Sequence, residues 1–294
     1  MISNELPSLY IIGGGRAGAS LSFFLQRKGF TILALVERNP DRYRFLKEDL
    51  QWKFVVTDIL PEVIRDADVI FLTIRDDHIA DMAAQLHSLG NFWHQKLVLH
   101  CSGALPSSIL SPLNNAGAIT ASLHPVYSFA IDPRENRYLN DVWFNAEGSE
   151  QAIKKLKTAF SFLASRIIPV TTEQKKAIHL ACVFYSNFYV ALAQISRELL
   201  GGIGNAKENT FRIFNPLLSS SISQVLEHGP EGALTGPVKR ADIDTLQSHL
   251  HYIRDNHAQL TQVYLFFSRK LLSISGLPQK DKNRIEQILQ QFEQ

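Results

Sequence analysis

The sequence predicts an α/β protein: a doubly wound parallel sheet covered by helices, followed by an all-helical domain. Three observations lead there. Up to about residue 147 short β-rich runs alternate with helical patterns. Several of those runs are apolar throughout, as expected for strands covered on both faces. Beyond residue 170 helical periodicity is nearly unbroken.

The expected strands are LYIIG (9–13), TILALVE (31–37), KFVV (53–56), DVIFLTI (68–74), KLVLHC (96–101), AITASL (118–123), VWFNAE (142–147) and RIIPV (166–170). A helix over 17–28 places Leu21, Phe24 and Leu25 on one face, and Gly29 closes it as a C-cap glycine. A further helix is expected over 149–165. The boundary falls at 169/170, so that 1–169 form the sheet domain and 170–294 the helical one. The helical domain is expected to run through 173–200, 206–227, 241–252, 255–275 and 279–293, with GGIGN (201–205) and HGPEG (228–232) as turns.

A length of 294 residues suits two domains of about 150 residues each. Hydrophobic residues at 45% and charged residues at 20% exclude a disordered or collagenous chain. The net charge of +2 provides no field to gather polyanions, so nucleic acid is not an expected partner. Cys101 and Cys182 are the only cysteines, too few for a disulfide framework, and a reducing cytoplasm is the expected location. The opening MISNELPSLYIIGGG lacks the parts of a signal peptide. The apolar stretch 180–195 is shorter than the ~20 residues of a membrane span and contains Ser186, Asn187 and Gln194. It is expected to be a buried core helix, with no membrane partner.

The chemistry starts at Gly13-Gly14-Gly15-Arg16-Ala17-Gly18, a GxGxxG pattern directly after an apolar strand and opening an amphipathic helix. Gly13 permits a tight turn, Gly15 lets backbone approach a pyrophosphate, and Gly18 lets helix and strand pack closely; the helix N-terminus adds free N–H groups, Arg16 and Ala17 among them. A ligand-free glycine turn is the plain alternative. Glu37, ending the second strand, suits the hydroxyls of a dinucleotide's ribose, whereas Arg38 suits a 2′-phosphate or is simply a solvated arginine. NADP is the expected cofactor and NAD the lesser one.

Ligands of open α/β sheets lie beyond the carboxyl ends of the strands. Those ends carry Thr73, Ser102, Gly103 and His124. Ser102 and Gly103 would let a nicotinamide ring approach the backbone, and His124 would reach its carboxamide or the substrate; each residue alone is also compatible with a cap or turn. Cys101 is expected to be an inert small side chain.

Reduction of a carbonyl or imine needs an acid or hydrogen-bond donor. On the helix over 173–200, His179, Ser186 and Asn187 share a stripe with Val183. Polar groups in an apolar stripe need partners, and a substrate is one; a satisfied core histidine is the other possibility. Lys175 and Lys176 are expected to be the solvated first turn. Farther on, ALTGPVKRAD (233–242) contains a turn signature, with Arg240 suited to gripping a carboxylate and Thr235 to donating a hydroxyl, unless this is only a surface loop. His249, His251 and His257 lack the cysteines or carboxylates of a metal set, so no metal is expected. The aromatic stretch Tyr264-Leu265-Phe266-Phe267 and the apolar helix offer more surface than a small helical domain buries, which predicts a homodimer.

At GGGRAG (13–18), HCSGALPSSIL (100–110), SLHPVYSF (122–129), IHLACVFYSNFYVAL (178–192) and ALTGPVKRAD (233–242) the chain resembles the Rossmann-like NAD(P)-dependent oxidoreductases with a C-terminal helical domain of unknown function. They are similar in fold to the ketopantoate reductase, 3-hydroxyisobutyrate dehydrogenase and pyrroline-5-carboxylate reductase group. The resemblance implies a substrate-serving donor early on the first long interdomain helix, where His179 stands in place of the group's lysine, and an asparagine at Asn187. It also implies reduction of a small 2-oxo acid, ketopantoate most specifically, with imine or hydroxy-acid chemistry and a non-catalytic NADP sensor as the alternatives.

Overall fold

The computed structural model describes residues 6–293 apart from 51, 53, 59, 61, 202, 204 and 205. The first compact unit spans 1–191. Its elements in order are β1 (Leu9–Ile12), α1 (Arg16–Arg27), β2 (Ile32–Val36), α2 (Pro40–Arg44), β3 (Val55–Thr57), β4 (Val69–Leu72), α3 (Ile79–His87), β5 (Leu97–His100), α4 (Ser111–Asn115), β6 (Ile119–Pro125), β7 (Phe144–Gly148), α5 (Glu150–Ala159) and β8 (Ile167–Pro169). Each expected strand forms, with ends shifted by a residue or two, β6 running on to Pro125 and β7 to Gly148; that expected at 53–56 forms over Val55–Thr57, and Lys53 lies outside the described residues.

The strands lie side by side in the order β3-β2-β1-β4-β5-β6-β7-β8. Neighbours are parallel except β6 and β7, which are antiparallel with His124 opposite Asn145 and Ser122 opposite Glu147. The first six strands thus have the doubly wound order whose reversal point, between β1 and β4, opens a crevice at their carboxyl ends. Alternation along β1 divides the interior in two: Leu9 and Ile11 join one core with Leu25, Phe71 and Phe160, while Tyr10 and Ile12 join the other with Leu72, Leu86 and Trp93. Gly29, at φ +91°, ends α1 as its glycine predicts.

After β8 the chain becomes helical at the expected place. α6 (Thr172–Cys182) starts with a capping box between Thr171 and Gln174, continues through one π turn (Val183–Asn187) and runs on as α7 (Phe188–Leu199). The two compact units divide inside α7, at 191/192.

The second unit, 192–294, contains α8 (Ala206–Ala233), α9 (Gly236–Arg240), α10 (Ile243–Asn256), α11 (Thr261–Ser273) and α12 (Gln279–Gln290). Val238, Leu246, Leu250, Leu265, Ile285 and Leu289 form its core.

Two expectations are corrected here. The helix carrying residues 180–195 is not a buried core helix: no residue of α7 is buried, and Leu180, Phe184, Tyr185 and Val190 are all exposed. Its apolar side chains join none of the three cores. By length and composition, Thr172–Leu199 passes as a possible membrane span, with a mean hydropathy of 1.4. HGPEG, expected as a turn, is reduced to a kink within α8 at Gly229 (φ 71°, ψ 174°) because a single glycine absorbs the change of direction. Of GGIGN, Gly202, Gly204 and Asn205 fall outside the described residues.

Candidate active site

The glycine turn joins β1 to α1. Gly13 has φ +108°, a conformation that favours glycine. A Cβ on Gly18 would lie 1.8 Å from the Gly13 carbonyl oxygen, so close helix-to-strand packing explains this glycine. Gly15 is different: a Cβ there would meet nothing within 4 Å. It precedes Arg16 at the start of α1, where no side chain caps the free N–H groups. Ala17 follows in the same first turn.

A cavity of about 540 Å³ extends from Gly13 and Gly15 past Glu37 and Arg38 to Thr73, Arg75 and His78. The cradle therefore fits the diphosphate and ribose of a dinucleotide, with main-chain amides for the anion and Glu37 and Arg38 at the far end. Glu37 accepts the Asn39 amide at 2.7 Å, while Arg38 is exposed. Thr73 does not present a free hydroxyl: it donates to the Gly13 carbonyl at 2.7 Å and holds the turn from β4. Arg42, unanticipated from sequence, supports the same turn by donating Nε to the Gly14 carbonyl at 2.8 Å.

Ser102 and Gly103 are also occupied. The Ser102 hydroxyl donates to Asp76 at 2.7 Å and accepts the amides of Ala104 and Leu105. A Cβ on Gly103 would lie 2.4 Å from His179 Nδ1 and 2.8 Å from His124 Nε2. Glycine is needed there because two histidines fill the space beside it.

His124 and His179 meet edge to face, with ring centroids 5.6 Å apart. They share a cavity of about 580 Å³ with Tyr127, Ser128, Ser186 and Asn187, so the polar stripe on the long helix and the end of β6 do converge. The π turn carries Ser186 and Asn187 into this lining. His179 Nδ1 is buried without a hydrogen-bond partner among the described residues.

The clearest departure from expectation is Lys175. It is fully buried rather than solvated, with Nζ donating to the Leu105 carbonyl, because the first turn of α6 lies under the loop after β5. Burial lowers its pKa to about 8, while Glu147, Asp76 and Cys101 act in the opposite sense. Burial, with help from His179 and Lys175, lowers His124 to about 4. His100 falls to about 3 by burial and the Lys175 charge, and burial pushes the Cys101 thiol up to about 12, which makes it the inert thiol expected.

The register shows how sequence holds these groups together. His100, Ser122, His124, Asn145 and Glu147 project from one face of three adjacent strands. Glu147 accepts the Ser107 amide at 2.6 Å and its hydroxyl at 3.0 Å. Asn145 and Glu147 escaped the sequence reading; their signal was the alternation of polar and apolar residues in FNAEG, within a strand read only for its apolar content.

Thr235 and Arg240 lie in the second unit, at the two ends of α9. Thr235 makes no capping bond with its side chain, and Arg240 is exposed and 3.9 Å from Asp242. Among the described residues no cluster of three or more His, Cys, Asp or Glu side chains could hold a metal.

Residues 2–125 match the Rossmann-like domain family, and residues 142–271 match a domain of unknown function, DUF2520. No curated protein matches the chain. Among solved structures, a Bacteroides fragilis protein assigned as an NADP oxidoreductase is similar at 25% identity and TM-score 0.72, over 91% of this chain and 98% of that one. A Thermotoga maritima protein is similar at 27% identity and TM-score 0.67, over the same shares of the two chains. A pyrroline-5-carboxylate reductase from Coxiella burnetii shares the fold at 15% identity and TM-score 0.58, over 97% of this chain and 99% of that one. The chain has the fold of the NAD(P)-dependent oxidoreductases, a Rossmann-like domain continued by a helical region that matches DUF2520.

Proposed function

We propose that this chain is an NADPH-dependent reductase of a small 2-oxo acid, with 2-dehydropantoate the favoured substrate. The observation that carries this reading is the buried Lys175 cation beside a cavity lined by His124, His179 and Asn187, in the same unit as the glycine turn. NADP enters through the match to the Bacteroides fragilis protein and through Arg38, which is free for a 2′-phosphate while Glu37 is engaged by the Asn39 amide.

Gly13, Gly15, Arg16, Ala17 and Gly18 would hold the diphosphate, with Glu37 and Arg38 at the adenosine ribose. When bound, the cofactor supplies a hydride. Reduction of a carbonyl also requires a proton and stabilisation of charge building on oxygen. His179 delivers the proton, His124 donates a hydrogen bond, and Asn187 orients the substrate. The buried positive charge of Lys175 favours an anionic oxo acid and the developing alkoxide, and disfavours a protonated imine.

Purified protein incubated with NADPH and a panel of 2-oxo acids and cyclic imines tests this. Oxo-acid-dependent loss of NADPH absorbance is expected. Turnover of imines alone would move the assignment to imine reduction, and saturable NADPH binding with no turnover would make the protein a nucleotide sensor.

The exposed apolar residues of α6, α7 and α8 support a homodimer in the same proposal, and the free thiols of Cys101 and Cys182 support a reducing, cytoplasmic location.

A further inference from the structure

Asn145 sits on β7 directly opposite His124 on β6 and is 1% exposed. Its side-chain Nδ2 lies 2.9 Å from His124 Nδ1, the only hydrogen bond that the Asn145 side chain makes among the described residues. Its Oδ1 is buried and unpaired. One N–H is unpaired in either orientation, so reversing the amide would only exchange the unpaired carbonyl oxygen for a second unpaired N–H, and an orphaned N–H is the less tolerated of the two in a protein interior. An amide that donates to Nδ1 requires that nitrogen to be bare, so a neutral ring must carry its proton on Nε2. Nε2 is the atom on the Gly103 and His179 side of the ring.

We propose that Asn145 is a positioning residue that locks His124 as the neutral Nε2–H tautomer, making it a hydrogen-bond donor to the substrate oxygen and not a proton-transfer acid. The oxygen-donor role rests on the reductase reading above; the tautomer does not. The surroundings agree with a ring that stays uncharged. His179 and the buried Lys175 disfavour the imidazolium, Asp76 alone favours it, and burial outweighs Asp76. A neutral imidazole held by its second nitrogen is a competent electrophile for a carbonyl.

The test uses the full chain labelled with 15N-histidine and needs no substrate. His124 resonances are identified by their loss in His124→Gln. At pH 7 the wild-type protein should show a bare Nδ1 and a protonated Nε2 at His124. In Asn145→Asp, whose carboxylate accepts a hydrogen bond, the proton should move to Nδ1 and the ring should titrate at higher pH than in wild type. Where a substrate has been identified, that variant should lose kcat roughly 100-fold with NADPH affinity unchanged. A wild-type His124 protonated on Nδ1, or charged at pH 7, would overturn the proposal, as would an Asp variant that folds and leaves the tautomer unchanged. If the variant fails to fold, the wild-type spectrum decides. Absence of turnover with any oxo acid would count against the reductase assignment and leave the tautomer result standing.

Discussion

The Thr73 hydroxyl donates to the carbonyl oxygen of Gly13 at 2.7 Å, so the end of β4 holds the turn that follows β1. A Cβ on Gly18 would come within 2.4 Å of that same hydroxyl. Gly18→Ala should therefore break the contact and displace the turn, weakening NADPH binding more than tenfold. Thr73→Val removes the bond alone, worth about 1 kcal/mol, and should weaken binding roughly fivefold. Fluorescence titration with NADPH measures both, and equal affinities in the two variants would refute this account of the turn.

Arg38 stands free at the ribose end of the cavity, whereas Glu37 is held by the Asn39 amide. Arg38→Ala should raise the Kd for NADPH about 10- to 100-fold, the scale of one charge-assisted contact, and leave NADH binding nearly unchanged. A parallel loss for both nucleotides would show that Arg38 does not read the 2′-phosphate.

Lys175 gives up stability for its position. Its folded pKa of about 8 lies below the ordinary lysine value, so between these limits the unfolded chain binds the extra proton. Its cost is therefore largest below pH 8 and is relieved as pH rises toward 10.5. Lys175→Met should stabilise the protein by on the order of 2 kcal/mol at pH 7, with the gain shrinking by pH 9.5, while reductase activity falls at least 100-fold. Urea unfolding at the two pH values, paired with turnover, checks the opposed signs.

Acid should destabilise the fold through two imidazoles. His124 and His100 are lowered to about 4 and about 3, so each stays neutral when folded while the unfolded chain takes up a proton below its ordinary value near 6.5. The stability they contribute is complete above pH 6.5 and is lost as pH falls toward 4 and then 3. Denaturant midpoints measured from pH 7 to pH 4 should fall, and His124→Gln should flatten the slope.

A second copy of the chain is expected to cover the exposed helices. Leu217 and Leu226, 64% and 83% exposed on α8, are suitable probes. The double substitution Leu217→Asp and Leu226→Asp should yield a folded monomer where light scattering of the unaltered protein gives a dimer; a monomeric wild type would exclude that arrangement.

The sheet was legible because strands buried on both faces are apolar throughout, and Gly13 and Gly18 because each answers a steric demand that no other residue meets, whereas Gly15 faces open space where a ligand would approach. Lys175 was not legible. A lysine in a helix's first turn looks solvated until tertiary packing places a loop over it, and the carbonyl it meets belongs to Leu105, seventy residues earlier. The burial expected for 180–195 failed because an apolar face reports the need for a partner without saying where that partner is.

The reversal of β7 against β6 separates two kinds of inheritance. Residues 37 and 38, proposed to choose the nucleotide, directly follow β2, whereas positions 145 and 147 enter from a strand that runs opposite to β6 and contributes nothing to the glycine turn. Descendants of this scaffold could exchange one set of residues and keep the other, so reductant and reactant are free to diversify on independent schedules.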